Sequence, residues 1–182
     1  ILMERTENGL YDIHRQLTYR GVFDGSRVIP VLCDVRDGNA VNRVFARFRP
    51  DLVFHAGAHK HVPMQELNPA ECFSNNVGGL HALATACDRF GVCTFVLISS
   101  DKAVNPTSVM GATKRVGELY CQAFSRVSST TFLAVRFGNV LASQGSVIPL
   151  FLDQVAKGGP VTITHPDMCR YFMTISEAVT LV

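Results

Sequence analysis

Apolar residues arrive in short, near-continuous runs, separated by stretches in which they recur every three or four positions. The runs read as buried strands and the periodic stretches as amphipathic helices. Ile1 to Glu4 reads as the end of a strand, and Leu10, Ile13 and Leu17 then share one helix face. A turn around Gly25 and Ser26 leads into a strand from Val28 to Leu32 that ends at Asp34. Val41, Val44, Phe45 and Phe48 mark a second helix, closed by Pro50, before a short strand over Leu52 to Phe54. One long helix is expected from about Pro69 to Phe90, a strand from Thr94 to Ser99, a helix from Val109 to about Arg126 and a strand from Phe132 to Phe137. Helices are expected near Pro149 to Lys157 and from Ser176 onward, with an extended piece around Val161 to Thr164.

Strands that are apolar throughout and alternate with helices predict an α/β fold on a parallel sheet covered on both faces. Ligands of such sheets lie beyond the carboxyl ends of the strands. Polar residues gather at those ends: Glu4-Arg5, Asp34-Val35-Arg36, His55 to His61, Ser99 to Lys102, and Arg136 to Asn139. Five strand ends that present polar groups the same way predict one site. Within it, Asp101 and Lys102 adjoin at a strand end, and the next helix carries Met110 and Lys114 one turn apart. A carboxylate beside an ammonium is an acid/base arrangement, or else an ordinary surface pair. A thioether neither takes nor gives a proton, so proton chemistry near Met110 falls on its neighbours.

Composition narrows the picture. A length of 182 residues predicts one domain, or one domain with a fragment of another. Hydrophobic residues at 47% and charged residues at 18% predict a packed core and exclude a disordered chain. A net charge of +2 gives no reason to expect a nucleic-acid partner. No apolar run approaches the roughly 18 residues that cross a bilayer, and no signal peptide is visible. The six cysteines form no CxxC pair and sit mostly in apolar stretches, which predicts reduced thiols and a reducing, cytoplasmic setting. His55, His59 and His61 form the only histidine cluster and lack a carboxylate or thiol companion, so no metal site is expected.

Six segments then carry a resemblance across essentially the whole chain: DVRD at Asp34–Asp37, HAGAHKHVP at His55–Pro63, NNVGG at Asn75–Gly79, SSDKAVNPTSVMGATKR at Ser99–Arg115, RFGNVLASQGSVIPLF at Arg136–Phe151 and HPDMCRYFMTISEA at His165–Ala178. The chain resembles the extended short-chain dehydrogenase/reductases. Within them it is similar to the nucleotide-sugar 4,6-dehydratases of the UDP-N-acetylglucosamine 4,6-dehydratase group, in the branch with methionine in place of tyrosine. The resemblance implies a Rossmann-like doubly wound parallel sheet over residues 1–137 and the start of a nucleotide-sugar-binding region over residues 138–182. No G-x-G-x-x-G turn precedes the strand ending at Glu4, so the first strand and glycine-rich turn are expected to be missing, at a cost to the middle of the sheet.

The implied activity is NAD-dependent conversion of UDP-N-acetylglucosamine to a UDP-4-keto-6-deoxy sugar. The implied catalytic residues are Ser100, Asp101, Lys102, Met110 and Lys114, with Lys102 as the base for C5, Asp101 as the acid for the C6 hydroxyl, and Lys114 on the nicotinamide ribose. Ser100 would hydrogen-bond O4, whose proton would pass to Asp101 or a water. Asp101 must then be protonated by burial, and Lys102 must stand as a free amine.

Cofactor contacts are implied for Glu4, Arg5, Asp34, Val35, Ala56, Gly57, Ala58, Lys60, Asn76, Ser99 and Lys114. Glu4 favours NAD through the ribose hydroxyls, whereas Arg5 argues for the 2′-phosphate of NADP, and the two also read as a solvated charge pair. The small residues Ala56 to Ala58 let backbone approach a ligand, or simply form a tight turn. Substrate contacts are implied for Lys60, His61, Asn139, Val147, Arg136 and Arg170. Guanidinium groups suit a diphosphate, although either arginine could instead pair with a buried carboxylate. The expected partner is a UDP-sugar. Homo-oligomers through the helices near 69–90 and 109–126, and a membrane anchor outside this sequence, are further implications. Two rivals share these residues: a nucleotide-sugar epimerase of the same superfamily, and a non-catalytic nucleotide-sugar-binding domain.

Overall fold

The computed structural model describes residues 1–19, 27–141, 147–163 and 165–182. Strand β1 (Leu2–Glu4) leads through helix α1 (Glu7–Tyr19) to β2 (Pro30–Leu32), and the two strands pair in parallel with Leu2 opposite Pro30. The turn expected at Gly25 and Ser26 lies outside the described residues. Helix α2 (Gly38–Phe48) begins where Asp37 accepts a hydrogen bond from the Ala40 amide at 3.0 Å, satisfying one of the free N–H groups of the first turn. It stops at Arg49, which turns left-handed at φ 45° just before Pro50.

Strand β3 (Leu52–His55) follows, then short helices α3 (Val62–Leu67) and α4 (Pro69–Phe73), a π-helical turn (Ser74–Gly78) and α5 (Gly79–Phe90). The helix expected over 69–90 is helical throughout, with the π-helical turn inside it, and α3 was not anticipated. The π-helical turn directs the consecutive residues Asn75 and Asn76 inward, each only 5% exposed. Gly91, at φ 71°, ends α5 in the left-handed conformation that glycine adopts without strain. Strand β4 (Thr94–Ser100), a 3₁₀ turn (Asp101–Ala103), α6 (Val109–Phe124) and β5 (Thr131–Phe137) complete a second parallel sheet, in the order β3-β4-β5.

The remaining elements are β6 (Asn139–Val140), α7 (Val147–Ala156), β7 (Phe172–Met173) and α8 (Ile175–Thr180). β6 and β7 pair in parallel, which brings Asn139 level with Phe172. Val161 to Ile163 are not a strand, and Thr164 lies outside the described residues. No helix among the described residues is long and apolar enough to cross a membrane.

The core forms where α2 and α5 meet the sheet. Val41 and Phe45 of α2, Leu80, Leu83, Ala84 and Cys87 of α5, Phe95 and Leu97 of β4, Cys121 of α6 and Phe132 of β5 make one buried cluster. Phe95 is fully buried and rests 5.3 Å from the Phe132 ring. Full coverage of both sheet faces holds for β4 but not for its neighbours: Leu52 and Phe54 of β3 and Leu133 of β5 stay about half exposed. A cavity of about 580 Å³ separates the two sheets, lined by β1 residues Leu2 to Glu4 on one side and β3 residues Leu52 to His55 on the other. All six cysteines are free thiols; Cys33, Cys72, Cys87 and Cys121 are buried, and Cys93 and Cys169 are exposed.

Candidate active site

Parallel strands place their carboxyl ends on one rim, and the turns that leave them build the site. β4 ends at Ser100, whose hydroxyl accepts from the Lys102 amide at 3.2 Å and so caps the 3₁₀ turn. The same hydroxyl donates to Asp101 Oδ1 at 2.9 Å. Lys102 Nζ donates to Asp101 Oδ1 at 2.9 Å and to Asn139 Oδ1 at 3.0 Å. The segments that leave β4 and β5 thus meet on one ammonium group. Helix α6 lies directly over this turn because position 111 is glycine: a Cβ there would run into the Lys102 carbonyl oxygen. Ser108 caps α6 through the Gly111 amide at 3.1 Å.

Met110 is 3% exposed and faces the cavity, and Lys114 follows one turn later. Lys114 Nζ donates to the Ile98 carbonyl at 2.8 Å. Burial brings its ammonium down to about 8, opposed by the nearby Cys72 thiol. Burial, and after it the charge on Lys114, also takes His55 down to about 4, so that imidazole is neutral at ordinary pH.

For Asp101 the expectation was a carboxyl raised by burial. Burial does push it up, but the hydrogen bonds from Lys102 and Ser100 outweigh that and hold it below its ordinary value. About a third of its side chain is exposed, so desolvation is too weak to win. Asp101 therefore rests as a carboxylate.

A cavity of about 520 Å³ opens over these groups. Ser99, Ser100, Lys102, Met110 and Lys114 line it, together with Lys60, His61, Asn139, Val147 and Arg170 from the sequence reading. Ala56 and Ala58 line it too, and with Gly57 they also line a second cavity of about 280 Å³ that holds Glu4, Arg5 and Val35. The two spaces adjoin at Ala56 and Ala58.

Four expected contacts sit elsewhere. Asp101 lines neither of these two cavities, although its partners Ser100 and Lys102 line the first. Asp34 binds Arg36 through both oxygens, with Nη2 at 2.7 Å from Oδ2. Asn76 is a buried brace: its amide donates to Thr113 Oγ1 at 3.0 Å and to the His59 carbonyl at 3.2 Å, and it accepts from the His59 amide at 2.8 Å. It ties the loop after β3 to α6. Arg136 takes the alternative allowed for it, a buried carboxylate: its Nε and Nη2 reach Glu118 at 2.8 and 2.6 Å.

Glu118 was missed by the sequence reading, although it stands four residues after Lys114 and so shares its helix face. It also accepts from Ser99 Oγ at 2.7 Å and Arg115 Nη1 at 3.0 Å. The Arg136 hydrogen bond, with those from Ser99 and Arg115, takes it down to about 2 against the opposing effect of burial. Thr113 and Glu71 were likewise missed, since nothing in their local sequence marks a long-range partner. The three clustered histidines go to separate places: His55 is buried against Phe95, His59 reaches Glu71, and His61 lines the larger cavity.

Parallel strands in an α/β fold, with two adjoining cavities along their carboxyl rim, are the Rossmann-type architecture of the extended short-chain dehydrogenase/reductase class. The chain belongs to the polysaccharide biosynthesis protein family, whose model matches residues 1–182. It is 51% identical over 187 residues to the capsular polysaccharide biosynthesis protein CapD of Staphylococcus aureus, covering 100% of this chain and 30% of CapD. It is 41% identical over 152 residues to a UDP-glucose 4-epimerase of Rickettsia canadensis (strain McKiel), covering 82% of this chain and 44% of that protein. The X-ray structure of Pen from Bacillus thuringiensis superposes with a TM-score of 0.90 at 33% identity, over 98% of this chain and 56% of Pen. The chain spans less than half the length of the two curated relatives.

Proposed function

We propose that this chain carries the catalytic centre for NAD-dependent dehydration of UDP-N-acetylglucosamine to a UDP-4-keto-6-deoxy sugar. The observation that carries the reading is the Ser100–Asp101–Lys102–Asn139 chain of hydrogen bonds at the rim of a cavity that adjoins, at Ala56 and Ala58, the one holding Glu4. The residues present fit a dinucleotide. Glu4 stands at the end of its strand, where ribose hydroxyls are accepted. Lys114 lines the adjoining cavity, and the small residues shared by the two permit close approach. A bound nicotinamide would supply reversible hydride storage between C4 and C6.

The chain's own residues manage the protons. Ser100 accepts the O4 proton and passes its own to Asp101, along the hydrogen bond it already makes. The resting carboxylate of Asp101 is what that first step requires. The resulting 4-keto group acidifies C5, and Lys102, once it has released a proton to solvent, takes the C5 proton. Asp101, now protonated, returns its proton through Ser100 to the C6 hydroxyl, which leaves as water. Lys102 gives its proton back to C5 and regains one from solvent, so both groups end as they began. Asn139 holds Lys102 in line throughout. Met110 supplies an apolar wall and no proton. Arg170 and Lys60 are positioned on the cavity lining to meet the diphosphate.

The similarity to a UDP-glucose 4-epimerase supports a second reading, inversion at C4 without loss of water. Incubating the full-length protein with UDP-N-acetylglucosamine in deuterated water separates them. Dehydration gives a product lighter by about one water, roughly 18 mass units before deuterium uptake, with deuterium at C5 from the exchanging base. An isomer of unchanged mass supports the epimerase, and an unaltered substrate removes both readings.

A further inference from the structure

Beside the cavity that holds Glu4, three basic side chains converge on one carboxylate. Glu71 of α4 takes Arg36 Nη1 at 3.0 and 3.1 Å through its two oxygens, Arg5 Nη1 at 3.8 Å and His59 Nε2 at 3.4 Å. We propose that Glu71 determines the cofactor preference of this site, by neutralising Arg5 and Arg36 so that they do not receive the 2′-phosphate of NADP. The inference rests on the dinucleotide reading above.

A carboxylate at the end of this strand accepts the ribose hydroxyls of NAD, whereas a neighbouring arginine accommodates the 2′-phosphate of NADP. This chain has both, side by side, as Glu4 and Arg5. Glu4 is fixed: its Oε1 accepts from the Thr6 amide at 2.9 Å and the Thr6 hydroxyl at 2.8 Å. Arg5 lines the cavity, and its one ion pair among the described residues is with Glu71. Arg36 is held on its other flank by Asp34. Asp34 and Glu71 thus hold the two guanidinium groups between them, and Glu4 lines the same cavity as Arg5, so an incoming dianion meets no net positive charge. The His59 hydrogen bond, with the charges of Arg36 and Arg5, outweighs desolvation and keeps Glu71 below its ordinary range, so its charge persists at neutral pH.

The Glu71 side chain is 48% exposed and those of the two arginines about a third, and exposed ion pairs add little to stability. Their consequence is where they hold the guanidinium groups. The effect is electrostatic, acts over a few ångströms and is screened by salt.

The test uses the full-length protein, with NAD and NADP titrated separately by calorimetry into the unaltered protein, Glu71→Gln, and Glu71→Gln combined with Arg5→Gln. At low ionic strength, Glu71→Gln is expected to shift the ratio of the two dissociation constants toward NADP by about tenfold. The shift should shrink at high salt, and the added Arg5→Gln should abolish most of it. A ratio that stays put in Glu71→Gln, a shift that survives loss of Arg5, or an unaltered protein that already prefers NADP overturns the assignment. If neither dinucleotide binds the unaltered protein, the cofactor reading itself falls and takes this inference with it.

Discussion

Asp101 and Glu118 are carboxylates anchored to the same strand end, yet they are built for opposite purposes. Glu118 is 8% exposed in its side chain and receives four hydrogen bonds, from Ser99, Arg115 and twice from Arg136. Asp101 is 33% exposed and receives two, from Ser100 and Lys102. Glu118 cannot protonate without stranding its donors, which is why it titrates at about 2. Asp101 is only nudged down, by partners that can themselves give or take a proton. A carboxylate that must hold architecture is over-supplied with fixed cations. A carboxylate that must change state is paired with one exchangeable ammonium and one hydroxyl.

The contrast can be broken by exchanging charge for an isostere. Asp101→Asn keeps the shape and removes the proton acceptor, so turnover of UDP-N-acetylglucosamine by the full-length protein is expected to fall by about 10³-fold. Near-normal product formation would take Asp101 out of the mechanism.

Glu118→Gln is expected to act on stability first, by about 2 kcal/mol in urea unfolding. The figure sits below that of a fully buried pair because Arg115 and Arg136 are each 44% exposed. The effect carries a pH signature. A carboxyl whose folded value lies near 2 and whose ordinary value is 4.5 contributes stability above pH 4.5, and loses it as pH falls from 4.5 toward 2. Glu118→Gln should flatten that limb. Loss of stability at higher pH, from 6.5 down to about 4, belongs instead to His55, which is neutral in the fold and must be charged on unfolding. An unchanged acid limb in Glu118→Gln would refute its structural role.

The smallest effects sharpen the contrast between neighbouring hydroxyls. Ser99→Ala removes one of four donors to Glu118 and is expected to cost about 1 kcal/mol in urea unfolding. Ser100→Ala removes a donor to Asp101 and should appear as a lower kcat, by about tenfold or more, with a similar or smaller change in stability. Equal effects of the two substitutions on kcat would erase the distinction.

Much of this arrangement was legible from local pattern. The apolar runs of β4 and β5, the 3.6-residue periodicity of α2 and α6, and the polar residues at strand ends each depend on a few consecutive positions. The Ser100–Asp101–Lys102 segment was legible for the same reason, because adjacent residues at a strand end share a rim. The π-helical turn was not: Asn75 and Asn76 fit an uninterrupted helix equally well until Thr113 and the His59 backbone are brought to them. The pairing of β6 with β7, two residues each and more than thirty residues apart, left no periodic trace.

By itself the amino-acid order determined the α/β alternation, the parallel strands, and the identity of the acid, amine and hydroxyl that gather at the end of β4. Tertiary structure alone decided their states and pairings. Arg136 could have faced substrate, but it met Glu118 from a helix eighteen positions earlier; Arg36 met Glu71 across thirty-five. Asp101 could have been raised by burial, but its two donors lowered it instead. Charge type is written residue by residue, whereas protonation depends on distance and solvent exposure, and those exist only once the chain has packed.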